Sequence, residues 1–368
     1  FWKLLNNEYI VKTQKIKYPL KYSFLLLFVF TYCYLSIVCV SGFFVIPLLI
    51  VILFWFYKQK KWWMIFITAS IAAIPIGIYY LISDYNVFKH ITPAIDSLVH
   101  FSVRNYLVNY VQTSYDSQTS DVVCLLIFNI KKGAGWEVYQ TMIDLSVVYL
   151  IVIGGLHLSF VQSVLLKIFK KHQLPVKIFN NIFRFFYTYL LNFSVSTSRV
   201  ILSNACGTLK CHWKLSPYDK CALAGSISMF ICPSIITNLG FNLSYLCTIG
   251  IIFIYQLKIK NLLLRQICIN TFACLISLPF VIQINKSISL FAIINSFLFS
   301  YFIMIVFIVF LLTFWIKWIY PFQKWITSAI VYIVQGFGLI NVQINLQPWP
   351  NIINAAFYTI LLSGAIYL

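Results

Sequence analysis

Residues 149–160 read Tyr-Leu-Ile-Val-Ile-Gly-Gly-Leu-His-Leu-Ser-Phe, an apolar run interrupted by two adjacent glycines and one histidine. An ionisable group in hydrocarbon is costly, and it normally faces the interior of a helix bundle or a water-filled cavity. Gly154 and Gly155 permit a backbone bend or a close helix approach at the same depth as His157. The stretch therefore indicates a helical membrane protein with a polar feature inside. The alternative is a packing kink whose histidine bonds a neighbouring carbonyl.

The composition extends this interpretation to the whole chain. Of the 368 residues, 61% are hydrophobic and 10% are charged, whereas soluble domains are about a quarter charged. Apolar runs of about 20 residues recur, and each is long enough to span a bilayer. The predicted spans include 138–166, 175–192, 240–257 and 352–368. We predict an all-α fold: a polytopic transmembrane bundle of about twelve spans in the cytoplasmic membrane, with both termini inside and one amphipathic surface helix.

In a membrane protein, a net charge of +19 is first explained by the basic residues of its loops. Lysine and arginine are in excess in the cytoplasmic loops of membrane proteins. Most of the basic residues can be placed in such loops, among them Lys317 and Lys324. The charge alone is therefore a weak indication of a nucleic-acid partner.

Residues 84–121 differ from the apolar runs around them. They contain more acidic than basic side chains, which predicts an external location. Apolar residues recur there at steps of three and four, which predicts one amphipathic helix along the membrane surface or against the bundle. These residues are Ile95, Leu98, Val99, Val103, Tyr106, Leu107, Tyr110 and Val111. The next apolar stretch, 122–130, is too short to span and is interpreted as a partial or re-entrant segment.

The chain is thus predicted to contain four parts. These are N-terminal membrane helices (1–83), the external amphipathic segment (84–121), a membrane core (122–345) and a C-terminal membrane helix (346–368). A start at Phe1 rather than Met is compatible with a piece of a longer protein.

A second stretch, Gly-Phe-Asn-Leu-Ser-Tyr at 240–245, gives the core a family resemblance. Together with Ile-Gly-Gly-Leu-His at 153–157, it resembles two signatures of the ComEC family of competence proteins, Gly-Phe-Gln-Leu-Ser-Phe and Ile-Ser-Gly-Leu-His. Arg199 after small residues, Leu278-Pro279 and Asn295 match further family positions in order, so that the resemblance covers about residues 120–310. The chain departs from the family at Tyr149, where a histidine is frequent, at Gly154 for serine and at Asn242 for glutamine.

The resemblance implies a channel that carries single-stranded DNA across the bacterial cytoplasmic membrane during natural transformation. It implies a surface DNA receptor and a cytoplasmic helicase as partners, besides the lipid bilayer, and leaves the oligomeric state open. Family members usually carry an external OB-type domain, which residues 84–121 are too few to form, so that it is either missing here or was never part of this chain. Many also carry a nuclease domain after the core, and the sequence ends at Leu368 without one.

Catalytic motifs do not account for the polar residues. The five histidines form no His-Glu-x-x-His or comparable metal motif, and no Gly-x-x-x-x-Gly-Lys-Ser/Thr loop is present. Cys211-His212 is a possible metal pair but lacks partners at ligand spacing. We therefore expect a non-enzyme with no cofactor and no metal.

A path for single-stranded DNA needs cationic groups along the phosphates and aromatic rings that stack on bases. Gly154-Gly155 and Gly240 could break their helices, which is tolerated at membrane depth only where the freed backbone groups line a cavity or are buried. Polar side chains can line the same path, although their alternative role is hydrogen bonding between helices. The candidate path residues are Gly154, Gly155, His157, Arg199, Gly240, Asn242, Ser244 and Asn295. A DNA channel requires a wet passage that reaches His157, Arg199 and Asn242 together.

Two other functions remain open at this point. A membrane-embedded transferase or polymerase acting on lipid-linked substrates would need an acid or base, and Glu137, Asp144 and Asp219 are the carboxylates near the core spans. A small-molecule transporter would usually show paired broken helices in two repeated halves. No such repeat is visible in the sequence.

Overall fold

The computed structural model describes residues 23–39, 46–81, 87–147, 150, 173–208, 215–257 and 259–347. Within these residues the fold is all-α, as the sequence predicts, apart from one pair of short strands. The glycine pair, His157 and the predicted last span (352–368) lie outside the described residues.

The helices up to residue 144 are α1 (Ser23–Val38), α2 (Ile46–Lys58), α3 (Trp62–Ala72), α4 (Ile74–Leu81), α5 (Val87–Val99), α6 (Val103–Ser114), α7 (Ser117–Phe128) and α8 (Gly133–Asp144). The later helices are α9 (Gln173–Leu190), α10 (Val195–Thr208), α11 (Pro217–Ile231), α12 (Leu239–Gln256), α13 (Leu262–Asn285), α14 (Ala292–Thr313) and α15 (Tyr320–Ile340). Strands β1 (Ser287–Ser289) and β2 (Gln343–Asn345) and the 3₁₀ turns Pro233–Thr237 and Lys317–Ile319 complete the described elements.

The chain divides into two compact units that interleave along the sequence. Among the described residues, the first unit comprises 23–88 and 198–276, and the second comprises 89–197 and 277–347. The predicted parts were contiguous stretches, whereas each compact unit combines separate stretches of the chain.

The first unit is organised around α1, which packs along α11 and α3. This helix is apolar on all sides, and a helix of that kind is stable only where it is buried. Leu26 and Leu35 of α1 are fully buried, as is Phe241 of α12. The 3₁₀ turn Pro233–Thr237 contacts α1, α4, α11 and α12, so that it lies at the meeting point of the unit.

The second unit is built on a hairpin of α7 and α8 that packs against α15, with α14 against α7. Asn129 ends α7 in the left-handed conformation, with φ of 55°, which asparagine tolerates better than most residues. Gly135 lets α8 approach α7 closely, because a Cβ there would lie 2.5 Å from the carbonyl oxygen of Asp121. The turn after 128 agrees with the predicted end of the short apolar segment, but its helix begins earlier, at Ser117.

A two-stranded antiparallel pair follows α13 and α15 in the second unit. Its register pairs Ser287 with Asn345, Ile288 with Ile344 and Ser289 with Gln343. The sequence analysis did not predict these strands, because three-residue strands give no measurable alternation of apolar and polar residues.

Among the described residues, two helical stretches are long and apolar enough to cross a bilayer. They are Trp62–Leu81 with 20 residues and Ala292–Thr313 with 22. Several other predicted spans are shorter helices, such as Ser23–Val38 and Gly240–Gln256. The predicted span 138–166 is not one continuous helix, because α8 ends at Asp144 and Ser146 has a φ of 60°. The count of about twelve spans stays a prediction.

The prediction of a single amphipathic helix within 84–121 is wrong. The segment contains α5 and α6 and the start of α7. His100 has a φ of 53°, which interrupts the helix, and the hydroxyl of Ser102 then caps α6 by accepting from the backbone of Asn105 at 3.3 Å. The predicted apolar face is divided accordingly, since Leu98 is exposed while Val111 is fully buried.

Candidate functional site

The motif at 240–245 begins at a helix break whose geometry differs from the prediction. Helix α11 ends at Ile231, Pro233 starts the 3₁₀ turn, and Asn238 caps α12. Gly240 lies in the first turn of α12, and its N–H donates to Oδ1 of Asn238 at 2.8 Å. Asn238 also accepts from the N–H of Phe241 at 3.3 Å, so that it satisfies two of the backbone groups that the break leaves free. The break exists near Gly240, but it is made by Pro233 and Asn238.

Asn242 holds two helices and the 3₁₀ turn together. Its Nδ2 donates to the carbonyl of Ile236 at 2.8 Å, and its Oδ1 accepts from the hydroxyl of Tyr32 at 2.9 Å. The side chain is 3% exposed. In this conformation, Asn242 performs the helix-joining role that the sequence analysis named as its alternative. Tyr32 was not predicted as a partner of Asn242, because nothing in the sequence distinguishes it from the other aromatic residues of its apolar run.

Arg199 is a buried cation of the first unit. It lies in the first two turns of α10, and the residue is 8% exposed. The guanidinium carbon lies 5.8 Å from the ring centroid of Tyr245, within the range of a cation–π contact. The thiols of Cys221 and Cys247 are its other electrostatic neighbours.

No acceptor among the described residues bonds the Nε of Arg199. A buried guanidinium is costly unless it is paired and hydrogen-bonded. Since no carboxylate pairs with this group among the described residues, its Nε remains available to an acceptor outside them.

Tyr245 positions the aromatic side of this site. Its ring contacts those of Phe241 and Phe28, with centroids 4.5 Å and 5.7 Å away. Its hydroxyl lies 3.4 Å from Oγ of Ser228. Gly225 allows the close approach, because a Cβ there would lie 2.4 Å from Phe28 and 3.0 Å from Tyr245. Tyr245 was predicted only as part of the motif 240–245, because no local pattern indicates that its ring lies beside Arg199.

Ser244 is also buried, and its hydroxyl has no hydrogen-bond partner among the described residues. Oγ of Ser226 on α11 and Nδ2 of Asn204 on α10 are likewise buried without a hydrogen-bond partner among the described residues. Three consecutive helices of the first unit, α10 to α12, thus hold buried polar atoms with unused hydrogen-bonding capacity. Such atoms cost about 1–3 kcal/mol each when they remain without a partner.

A further polar pair lies on α13 and was missed by the sequence analysis. Gln266 and Asn270 are one turn apart, 6% and 4% exposed, and joined by a long contact of 3.5 Å. Oε1 of Gln266 and Nδ2 of Asn270 have no partner among the described residues. The oxygen and nitrogen of each amide can be exchanged, but in either orientation a single bond between the two side chains leaves one amide oxygen and one amide nitrogen without a partner.

Asn295 belongs to the second unit and to a different network. Its Nδ2 donates to Oγ of Ser289 at 3.3 Å, and that hydroxyl donates to Oδ1 of Asn341 at 2.5 Å. Nδ2 of Asn341 in turn donates to the carbonyl of Asp144 at 2.9 Å. The structure therefore places Arg199, Gly240, Asn242 and Ser244 in one unit and Asn295 in the other.

The second unit also contains a small cavity with an apolar lining. Val122, Val138, Phe302, Val306 and Ile330 are among its lining residues. An apolar cavity of this kind stays dry. It does not correspond to the wet passage that the sequence analysis expected, and Gly154, Gly155 and His157 lie outside the described residues.

The carboxylate of Asp219 is occupied by structural bonds. Its Oδ2 accepts from the hydroxyl of Ser216 at 2.5 Å, and its Oδ1 accepts from the backbone of Leu25 at 3.4 Å. The pair Ser216 and Asp219 caps the start of α11. Among the described residues, no group of three or more His, Cys, Asp or Glu side chains is placed to hold a metal ion.

Comparison with known proteins gives a family match for the core and relatives of similar sequence. The family model described as Competence protein matches residues 126–368. The uncharacterized protein MG316 of Mycoplasma genitalium is 26% identical over 199 residues, which are 54% of this chain and 52% of that protein. Its homolog in Mycoplasma pneumoniae is 26% identical over 198 residues, which are 52% of this chain and 53% of that protein. The chain thus spans about half the length of the curated relatives that it matches. No solved structure matches it.

Proposed function

The chain belongs to the Competence protein family, and on that premise we propose that it forms a membrane path for single-stranded DNA during natural transformation. The proposed location is the bacterial cytoplasmic membrane, crossed many times. The apolar stretches Trp62–Leu81 and Ala292–Thr313 support a membrane location by their length and composition. The path conducts DNA and is not an enzyme.

The observation that carries the proposal is the burial of Arg199 beside Tyr245 without an acid partner among the described residues. A DNA strand offers phosphate oxygens for the guanidinium and flat bases for the aromatic ring. The same pair of groups would be a costly arrangement in a protein that only needed to pack its core. Arg199 and Tyr245 are therefore the proposed contact between the first unit and the strand.

The described conformation is the closed one in this proposal. Ser226, Ser244 and Asn204 bury polar atoms that water or DNA would satisfy once α10, α11 and α12 separate. Asn242 and Gly240 border the path and hold its closed form, because their hydrogen bonds fix the start of α12. A surface DNA receptor that delivers the strand and a cytoplasmic helicase that pulls it are the proposed partners for opening.

The test is uptake of labelled DNA in cells that carry Arg199→Met, a change that keeps much of the side-chain volume and removes the charge. We expect a loss of uptake of about tenfold or more, as for an interaction of about 1.4 kcal/mol or more. Arg199→Lys keeps the charge but lacks the planar guanidinium, so that its DNA uptake should lie between that of the parent and that of Arg199→Met. Lys89→Met, at an exposed position, is the matched control and should leave uptake unchanged. Normal uptake by Arg199→Met at normal protein level would contradict the proposed role of Arg199.

A further inference from the structure

The junction between α14 and α15 exposes a set of large aromatic side chains. We call this set, Trp315, Trp318, Phe322 and Trp325, the aromatic ledge. Trp318 is 83% exposed although it is one of the largest apolar side chains. The ledge comes directly after α14, the 22-residue apolar helix, and it is accompanied by Lys317 and the exposed Lys324.

This junction is bonded to the segment 101–116. The hydroxyl of Tyr110 donates to the carbonyl of Trp315 at 2.9 Å, and that of Tyr115 donates to the carbonyl of Phe314 at 2.5 Å. The hydroxyl of Tyr320 donates to Oδ1 of Asp116 at 2.5 Å.

Lys317 adds a fourth contact between the two segments, with its Nζ 5.5 Å from the ring centroid of Tyr110. Phe101 and Tyr106 of the same segment are themselves exposed, and their tilted rings contact one another with centroids 5.7 Å apart. Two parts of the chain, about 200 positions apart by these bonds, therefore share one surface of the second unit.

The chemistry of this surface fits the headgroup layer of a phospholipid bilayer. Tryptophan and tyrosine are enriched at the membrane–water boundary, where an apolar ring and a polar edge are both satisfied. Lysine ammonium groups beside them can bind headgroup phosphates while their stems lie along the apolar surface. A surface for a protein partner would usually have a desolvated centre and few lysines, whereas here the aromatic rings follow an apolar helix of membrane-spanning length.

We propose that the aromatic ledge lies in the headgroup layer of one leaflet, that segment 101–116 lies on that same side, and that the β1–β2 pair lies on the opposite side. The inference rests on the proposed membrane location. It replaces the sequence-based assignment, in which 84–121 was external and the loop with Lys317 and Lys324 was cytoplasmic. Those two sides are incompatible with the bonds that join Tyr110 to Trp315 and Asp116 to Tyr320.

Cysteine labelling tests the assignment of sides. Single cysteines are placed at the exposed positions Asn109, Lys324 and Gln343, and the parent chain gives the background from its own cysteines. Oriented membrane vesicles of both polarities are treated with a membrane-impermeant maleimide. We expect N109C and K324C to react from the same face and Q343C from the other.

Reaction of N109C and K324C from opposite faces would overturn the inference. Reaction of all three from one face would also overturn it, because α14 and α15 would then not cross the bilayer. Equal reaction in both kinds of vesicle, or recovery of the chain in the soluble fraction, would instead refute the proposed membrane location.

Lipid contact is tested separately by fluorescence quenching of the full chain in phosphatidylcholine–phosphatidylglycerol vesicles. Bromine atoms near the headgroup end of the acyl chain should quench the parent more than W318F, and bromines near the chain end should quench both alike. Equal quenching of the parent and W318F by both lipids would contradict a position of Trp318 in the headgroup layer.

Discussion

The hydroxyl of Tyr32 donates a hydrogen bond of 2.9 Å to Oδ1 of Asn242, joining residues that are 210 positions apart. Both side chains are buried, so neither can exchange this bond for one with water. The bond attaches α1 to the start of α12, where Asn242 also holds the 3₁₀ turn through the carbonyl of Ile236. The polar position of the motif thus has a structural partner in the first described helix.

Tyr32→Phe should lower the free energy of unfolding by about 1–3 kcal/mol, because it leaves the buried Oδ1 of Asn242 without its donor. The measurement is denaturant unfolding of the purified protein in detergent. Tyr34→Phe is the matched control: Tyr34 is half-buried on the same helix, and its hydroxyl has no hydrogen bond with the described residues. Equal effects of the two changes would mean that the bond to Asn242 contributes nothing to stability.

Arg199→Met should leave the protein as stable as the parent or more so, since replacement of a buried charge by an apolar side chain of similar size is often neutral or stabilising. Thermal unfolding in detergent measures this. Arg104→Met should instead lower the stability, because Nε of Arg104 donates to the carbonyl of Leu190 at 2.9 Å and the substitution removes that bond. A chain that fails to fold with Met at 199 would assign Arg199 to the structure of the first unit, against its role in the path.

Gly225→Ala should destabilise the first unit by about 1–3 kcal/mol, the usual effect of overpacking a core. The added Cβ would lie 2.4 Å from the ring of Phe28, and that ring contacts Tyr245. Gly336→Ala on α15 is the control, because a Cβ there meets nothing within 4 Å. It should stabilise its helix by about 0.5–1 kcal/mol. Destabilisation by both changes to the same extent would contradict the close packing at Gly225.

The link between Asp116 and Tyr320 should make stability depend on pH in the acid range. Burial alone would raise the pKa of Asp116, but hydrogen bonds from Tyr320 and Thr119 outweigh burial, and the pKa of this carboxyl lies below its ordinary value. A carboxyl with a lowered pKa contributes stability above its unfolded pKa, and that contribution is lost as the pH falls through the folded pKa.

Asp116→Asn should therefore reduce the loss of thermal stability on acidification, while Asn still caps α7. The melting temperature of both proteins is measured from neutral to acid pH. Glu137→Gln, at an exposed position, should keep the pH dependence of the parent. An unchanged acid dependence in Asp116→Asn would show that other carboxyls cause it.

Helix positions were predictable wherever local sequence sets both ends. The predicted stretch 175–192 corresponds to α9, Gln173–Leu190, and the predicted stretch 240–257 corresponds to α12, Leu239–Gln256. In the second case, Asn238 provides the cap and Lys258 follows the apolar run. Helix interruptions were less predictable, because His100 and Ser146 adopt positive φ angles without being glycine.

The surroundings of the candidate residues could not be predicted in the same way. Arg199 lies beside Tyr245 and Cys221, which come from two other helices. The partner of Asn242 is one of 24 tyrosines in the chain, and only packing selects it. The side of the membrane for 101–116 was predicted from the charges in the loops. Such counts contain no information on contacts such as that of Tyr110 with Trp315.

The bond from Asn341 to the carbonyl of Asp144 spans 197 positions, and it sets an order of assembly. A ribosome delivers the hairpin of α7 and α8 long before Asn341 has been synthesised, so that the carbonyl of Asp144 lacks this donor while 197 further residues are added. Contacts this distant in sequence form late and leave intermediates exposed in the meantime. The second unit is therefore completed only after residue 341 has been synthesised, and a chain arrested before that residue should be an early substrate for membrane quality-control proteases.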